Sequence, residues 1–169
     1  MNLEKIIQKI EETPLDITKL KNINYPVKTK IILYDSINKN MNIEELFEDH
    51  KAIIILLLKN NNEVGHYVSL MKDGNYLNYW GPYGYSLLNI ISIMGINSNL
   101  LQIIKKSNYK FTENKFMLEE QSNKIQTCGL WCVARIFKYF LNNKEFYNLM
   151  KYKKIKSDIL VSLLTFLIV

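Results

Sequence analysis

Two cysteines and two histidines are the only side chains of their kinds in this 169-residue chain. Cys128 stands in Gln126-Thr127-Cys128-Gly129-Leu130-Trp131-Cys132, at the start of a stretch, 128–141, with helical spacing of Leu130, Val133, Phe137 and Leu141. A helix N-terminus offers free N–H groups and partial positive charge, which favours a thiolate. Gly129 lets a substrate carbonyl approach the backbone, and the same N–H groups can hold an oxyanion. A thiol nucleophile also needs a base. His66 follows Gly65 at the start of a strand pattern, whereas His50 sits in the polar loop signature Glu48-Asp49-His50-Lys51. Cys132, one turn beyond Cys128, reads as a core residue. The plainer alternative stays open: a free cysteine is commonly a small buried hydrophobe, and a lone histidine commonly structural. A Cys2His2 zinc site fits poorly, because the cysteines are i, i+4 on one helix and 15 residues separate the histidines.

The elements that must position this pair are legible in outline. Residues 3–12 put Leu3, Ile6, Ile7 and Ile10 on one helix face, ended before Pro14. Residues 29–34 predict a short strand, and Asn42 caps a brief helix carrying Glu44 and Glu45 in its first turn. Residues 52–58 (AIIILLL) predict a strand buried on both faces. Residues 66–72 and 75–81 flank Asp73-Gly74, a two-residue hairpin loop. In that register partners sum to 147, so His66 faces Gly81, Val68 faces Tyr79 and Ser69 faces Asn78. Ser86 caps a helix over 86–96, residues 115–119 predict a strand, and a helix is expected near 144–150. Ser157 or Asp158 caps an apolar final helix running to Val169. The fold class is α+β: a central mixed β-sheet flanked by helices, with the nucleophile at the N-terminus of a buried helix. One domain is expected over 1–169, with helical extensions over 1–28 and 142–169.

Composition narrows the function classes. Apolar residues are 48% and charged residues 22%, which excludes a disordered chain, and two cysteines exclude a disulfide scaffold. The start, MNLEKIIQKIEE, carries charges where a leader's apolar core would lie. Residues 159–169 form an apolar run too short to span a bilayer. A protein inside the cell, without membrane insertion and monomeric, is expected. The net charge of +6 is almost all lysine, with Arg135 the one arginine, beside 20 Asn and 23 Ile, a bias of A+T-rich coding. Weak, salt-dependent binding to nucleic acid follows, without the arginine forks used for phosphate or guanine readout. The lysine-rich stretch 144–156, with Phe146, Tyr147 and Tyr152 interleaved, reads as a solvated face or a nucleic-acid contact.

Taken together, Gly65-His66-Tyr67-Val68, Tyr79-Trp80-Gly81-Pro82-Tyr83-Gly84, and Gln121 seven residues before Cys128-Gly129 resemble the adenovirus-type maturation cysteine proteases. Relatives of that family occur in giant viruses, virophages and Polinton-like elements, and the SUMO-deconjugating proteases form its cellular branch. The resemblance covers residues 65–141. It implies Cys128 as nucleophile, His66 as base, and Gln121 as the oxyanion-hole side chain in preference to Gln126. Tyr67 stands where relatives often carry tryptophan, packing over the imidazole or filling core. Trp80, Tyr83 and Trp131 are candidates for the cleft wall, with core the better expectation for Trp131.

One departure stands out. The family's acid falls just before Pro-aromatic-Gly, and here that residue is Gly81. A water or backbone carbonyl could orient His66, Asn78 could swing in through a bulge, or the chain could be a slow or inactive relative. The resemblance implies an endopeptidase that trims viral capsid or core proteins beside glycine or other small residues. Its expected setting is the infected cell, in cytoplasm or viral factory, and the virion. No cofactor or metal is required, with DNA or a peptide as candidate activators. The alternatives are a protease of ubiquitin-like conjugates and a pseudoprotease that binds without turnover.

Overall fold

The computed structural model describes residues 3–13, 15–58, 65–121, 126–151 and 155–166. Five strands form one sheet in the order β1-β2-β3-β4-β5: β1 (Thr29–Leu33), β2 (Ala52–Leu58), β3 (Gly65–Asp73), β4 (Tyr76–Trp80) and β5 (Lys110–Glu113). β1 runs parallel to β2 and β5 parallel to β4, while β2–β3 and β3–β4 are antiparallel. The α-helices among the described residues are α1 (Leu3–Glu12), α2 (Ile17–Lys21), α3 (Ile43–Phe47), α4 (Leu87–Met94), α5 (Asn99–Lys106), α6 (Cys128–Phe137), α7 (Asn143–Met150) and α8 (Ser157–Phe166). The architecture is α+β, as expected.

Period-two alternation in β2 and β3 sends side chains into two apolar layers. Ile53, Ile55, Val68, Leu70 and Leu77 pack against α3, α4 and α5. On the other face, Ala52, Ile54, Tyr67, Met71 and Trp80 pack against α6, α7 and α8. Leu15, Leu20 and Ile23 from the N-terminal segment join this second layer. α6 is buried along nearly its whole length, Cys128 through Ile136, so both faces of its first turn are fixed by packing.

Local chemistry explains the ends. Asn42 makes a capping box with Glu45, and Ser86 accepts from the Asn89 N–H at 3.2 Å. Gly95 ends α4 in the left-handed region.

Three expectations need correction. The hairpin loop is Gly74-Asn75, not Asp73-Gly74: Asp73 pairs with Tyr76 and Ser69 with Trp80. Partners therefore sum to 149 rather than 147. Both dipeptides suit a two-residue loop, and the structure places positive φ at Gly74. Residues 115–119 do not form a strand; the edge strand is β5, just upstream, and α5 precedes it. α6 ends at Phe137, before the expected Leu141. No helix among the described residues is long and apolar enough to cross a membrane.

Candidate active site

The N-terminus of α6 meets the first residues of β3. The Tyr67 backbone N–H points at Cys128 Sγ at 3.5 Å, so the neighbouring His66 comes within reach of the sulfur. His66, Glu119 and Cys128 offer side-chain atoms that all lie within 4.8 Å of one another. All three residues are buried. Gly129 allows this approach, since a Cβ there would sit 3.1 Å from Leu15 Cβ and 3.3 Å from the Tyr67 ring.

The Gly81–Gly84 turn, closed by Gly84 N–H to the Gly81 carbonyl at 3.0 Å, brings a second wall. Gly84 has φ +68, and a Cβ there would meet the Phe116 backbone at 2.9 Å, so the turn requires glycine. Tyr83 consequently stacks on His66, with ring centroids 4.8 Å apart and planes 9° from parallel.

Buried Asn114 couples this turn to the segment leading to Glu119. Its side-chain amide donates to the Gly81 carbonyl (2.8 Å) and the Phe116 carbonyl (2.9 Å). Its side-chain oxygen accepts from the Phe116 N–H (2.9 Å), and Leu118 N–H donates to the Pro82 carbonyl (2.9 Å). The result delivers Glu119, 1% exposed, to the pair.

Glu119 is held from below by Thr127. Its Oε1 accepts from the Thr127 backbone N–H (3.0 Å) and lies 3.3 Å from the Thr127 hydroxyl oxygen, while Oε2 is buried without a hydrogen-bond partner. Asp158, from the first turn of α8, accepts from the Thr127 hydroxyl (2.6 Å), Trp131 Nε1 (2.9 Å) and the Glu120 N–H (2.8 Å). Two carboxyl groups thus meet across one threonine.

Electrostatics follow from burial. Desolvation pushes the Cys128 thiol up to about 12, with the Glu119 carboxylate adding to the rise and nearby backbone N–H groups opposing it. Desolvation alone brings His66 down to about 4. Glu119 is raised to about 8, first by desolvation and then by Asp158, against the Thr127 and Cys128 donors. The resting pair at neutral pH is therefore thiol and neutral imidazole. Desolvation opposes the thiolate that the helix N-terminus favours.

The structure distributes the other sequence candidates widely. Gln121 is exposed and donates to the Tyr85 hydroxyl at 2.6 Å. Gln126 is also exposed, with its backbone N–H on the Glu11 carbonyl at 2.7 Å. Asn78 pairs with Met71, five residues along β3 from His66, or about 16 Å of strand. It lines a cleft with Arg135 and Phe140 and is not the orienting partner. Gly81 lies over Val68 rather than His66, and a Cβ there would meet the Tyr79 hydroxyl at 3.2 Å. Trp80 is core, not cleft wall: it is 1% exposed and packs on Trp131 and Phe146. Trp131 is core as well. Tyr67 fills the layer beneath Gly129.

Phe146 is fully buried, and Tyr147 stacks on Phe116, so neither stands free between lysines as a nucleic-acid contact would. Tyr152 lies outside the described residues. His50 is bonded to the Phe47 carbonyl through Nδ1 at 3.1 Å and does not join the cysteines. Zinc-type donors converge instead as one histidine, one glutamate and one cysteine.

Glu119, Thr127 and Asp158 are the residues that sequence reasoning missed. The available signal was an acid closing the apolar triplet Phe116-Met117-Leu118, nine residues before Cys128.

No family model matches the chain. In sequence it is similar to "Uncharacterized protein V9" of Sputnik virophage, 28% identical over 152 residues that span 82% of this chain and 86% of that protein. In structure it is similar to the central domain of the uncharacterized Lpg1148 protein from Legionella pneumophila, with a TM-score of 0.42, 14% identity and 97% of each chain covered. It is also similar to the SUMO protease Ulp1 with its catalytic cysteine oxidized to a sulfinic acid. That likeness has a TM-score of 0.33 and 11% identity, over 74% of this chain and 55% of that one. At TM-scores below 0.5 neither structural likeness bears on the chemistry.

Proposed function

We propose that the protein is a cysteine endopeptidase, with Cys128 as nucleophile and His66 as base. The observation that carries this reading is the buried convergence of His66, Glu119 and Cys128 at the N-terminus of α6. His66 takes the Sγ proton as sulfur bonds to the scissile carbonyl carbon, whose π pair moves to oxygen. The Cys128 backbone N–H, which at rest lies toward the Glu119 carboxyl, would turn to the resulting oxyanion. Collapse expels the amine, which receives the proton from His66, and water then hydrolyses the thioester. His66 is unprotonated at rest, and its proton uptake from Cys128 runs uphill until the imidazolium and oxyanion are stabilised.

Tyr83 supplies the orientation that the absent carboxylate at residue 81 would give, by fixing the plane of the imidazole. Tyr83 and Tyr67 flank the nucleophile. Gln121, engaged by Tyr85 at rest, would serve the oxyanion only after leaving that hydroxyl.

Similarity to a virophage protein supports a viral setting. The substrates are then capsid or core proteins, cut beside glycine or other small residues, in the infected cell and the assembling particle. The protein acts without a metal, with DNA or a peptide as activator to be screened.

The test is cleavage of glycine-containing peptides from the co-encoded capsid proteins, and of a folded ubiquitin-like fusion, by wild type, Cys128→Ala and His66→Ala. Peptide cleavage lost in both variants is expected. Preference for the folded fusion would move the substrate to ubiquitin-like conjugates. Tight peptide binding without any turnover would overturn the enzyme reading in favour of a pseudoprotease.

A further inference from the structure

We infer that Glu119 acts as a neutral carboxylic acid, donating a hydrogen bond from Oε2 to the oxyanion formed when Cys128 attacks a carbonyl. This rests on the Cys128–His66 reading and assigns a side-chain oxyanion donor already in place while Gln121 is engaged by Tyr85.

Oε1 already takes the Thr127 backbone N–H at 3.0 Å, so it is the acceptor end of the group. Oε2 is buried, has no hydrogen-bond partner, and belongs to a side chain 1% exposed. A buried carboxylate oxygen in that position would be an unpaired charge, whereas a carboxylic O–H would be a donor awaiting an acceptor. The charged and titratable groups around it do not favour ionisation. Asp158, across Thr127, collects three donors of its own. Cys128, His66 and Tyr83 are neutral at pH 7. Lys156 reaches Glu120, not Glu119, and no lysine or arginine among the described residues pairs with Glu119. The upward displacement of the Glu119 carboxyl by burial agrees with this placement.

The distance also fits. The carboxyl lies within 4.8 Å of Sγ, which leaves room between them for an oxygen about 3 Å from the donor. A protonated glutamate has the shape of glutamine and a donor at the same end. One reaction therefore separates the neutral donor from a carboxylate that orients His66.

The experiment compares two small reagents on full-length wild type, Glu119→Gln, Glu119→Ala and His66→Ala, with Cys128 labelling followed by mass spectrometry. p-Nitrophenyl acetate acylates sulfur through a tetrahedral oxyanion and releases p-nitrophenolate. Iodoacetamide alkylates sulfur by displacing iodide, with no oxyanion. Glu119→Ala is expected to slow acylation about 100-fold and to leave alkylation within about 3-fold. Glu119→Gln should recover acylation to at least about 30-fold above Glu119→Ala, with alkylation equal in the two variants.

If Glu119→Gln loses as much acylation as Glu119→Ala, the neutral-donor assignment is wrong. If both variants slow alkylation and acylation alike, Glu119 serves His66 as a carboxylate and the assignment is again wrong. Failure of the underlying pair looks different: wild type and His66→Ala would then label Cys128 equally slowly with both reagents.

Discussion

Tyr83 lies face to face on His66, with ring centroids 4.8 Å apart and planes 9° from parallel. The contact excludes water from the imidazole, and desolvation is what holds His66 down at about 4. A histidine held neutral in this way is a base in its active form throughout the physiological range.

Removing the stack should therefore return water to the ring. In Tyr83→Ala the His66 midpoint is expected to climb from about 4 toward the ordinary 6.5, read from the imidazole proton shifts by NMR. An unchanged midpoint would show that other groups desolvate the ring. Tyr83→Phe keeps the stacked face and should leave the midpoint where it is.

The turn that presents Tyr83 depends on Gly84. An alanine there must adopt φ +68 and bring its Cβ to 2.9 Å from the Phe116 backbone. Gly84→Ala should cost about 1–3 kcal/mol in chemical denaturation and slow acylation of Cys128, because Tyr83 moves with the turn. Wild-type stability in this variant would contradict the account of the turn.

Thr127 ties the two buried carboxyl groups together, its backbone N–H on Glu119 and its hydroxyl on Asp158. Thr127→Val keeps the shape and removes the hydroxyl. A loss of about 2–3 kcal/mol is expected by denaturation at pH 7, since hydrogen bonds to buried acids are among the stronger ones. A change within about 0.5 kcal/mol would mean the hydroxyl is replaced by another donor.

Glu119 also leaves a mark on stability against pH. Its folded value of about 8 lies above the ordinary 4.5, so the native state binds the extra proton between those limits. Stability from this group is present at low pH and falls as pH rises from 4.5 through 8. Glu119→Gln removes the dependence. The variant should gain about 2–5 kcal/mol relative to wild type between pH 5 and pH 9. His66 has the opposite sign: its value is depressed, so its contribution is present above 6.5 and lost as pH falls toward 4. Parallel stability profiles for wild type and Glu119→Gln would overturn the buried-acid description.

The sequence reading and the structure part company in an instructive way. The hairpin register slipped by two residues, yet the assignment of side chains to faces survived, because strand alternation has a period of two. Asp73-Gly74 and Gly74-Asn75 are both acceptable loops, so local turn chemistry could not choose between them. β2 was legible because seven apolar residues in a row leave few other options. Glu119 was not legible, since its position depends on Asn114 bracketing the Gly81–Gly84 turn, a contact 33 residues apart in the chain. Burial at Cys128 was illegible for a related reason: helix position can be read from a sequence, but the depth of burial that opposes a thiolate there cannot.

The central claim is that His66 activates Cys128. Site-resolved alkylation by iodoacetamide at pH 7.5, on wild type and His66→Ala, tests it most directly, with Cys132 as the internal reference. The expected result is Cys128 labelled at least about tenfold faster than Cys132, with His66→Ala removing that advantage. Equal, slow labelling of both cysteines in wild type and variant alike would contradict it.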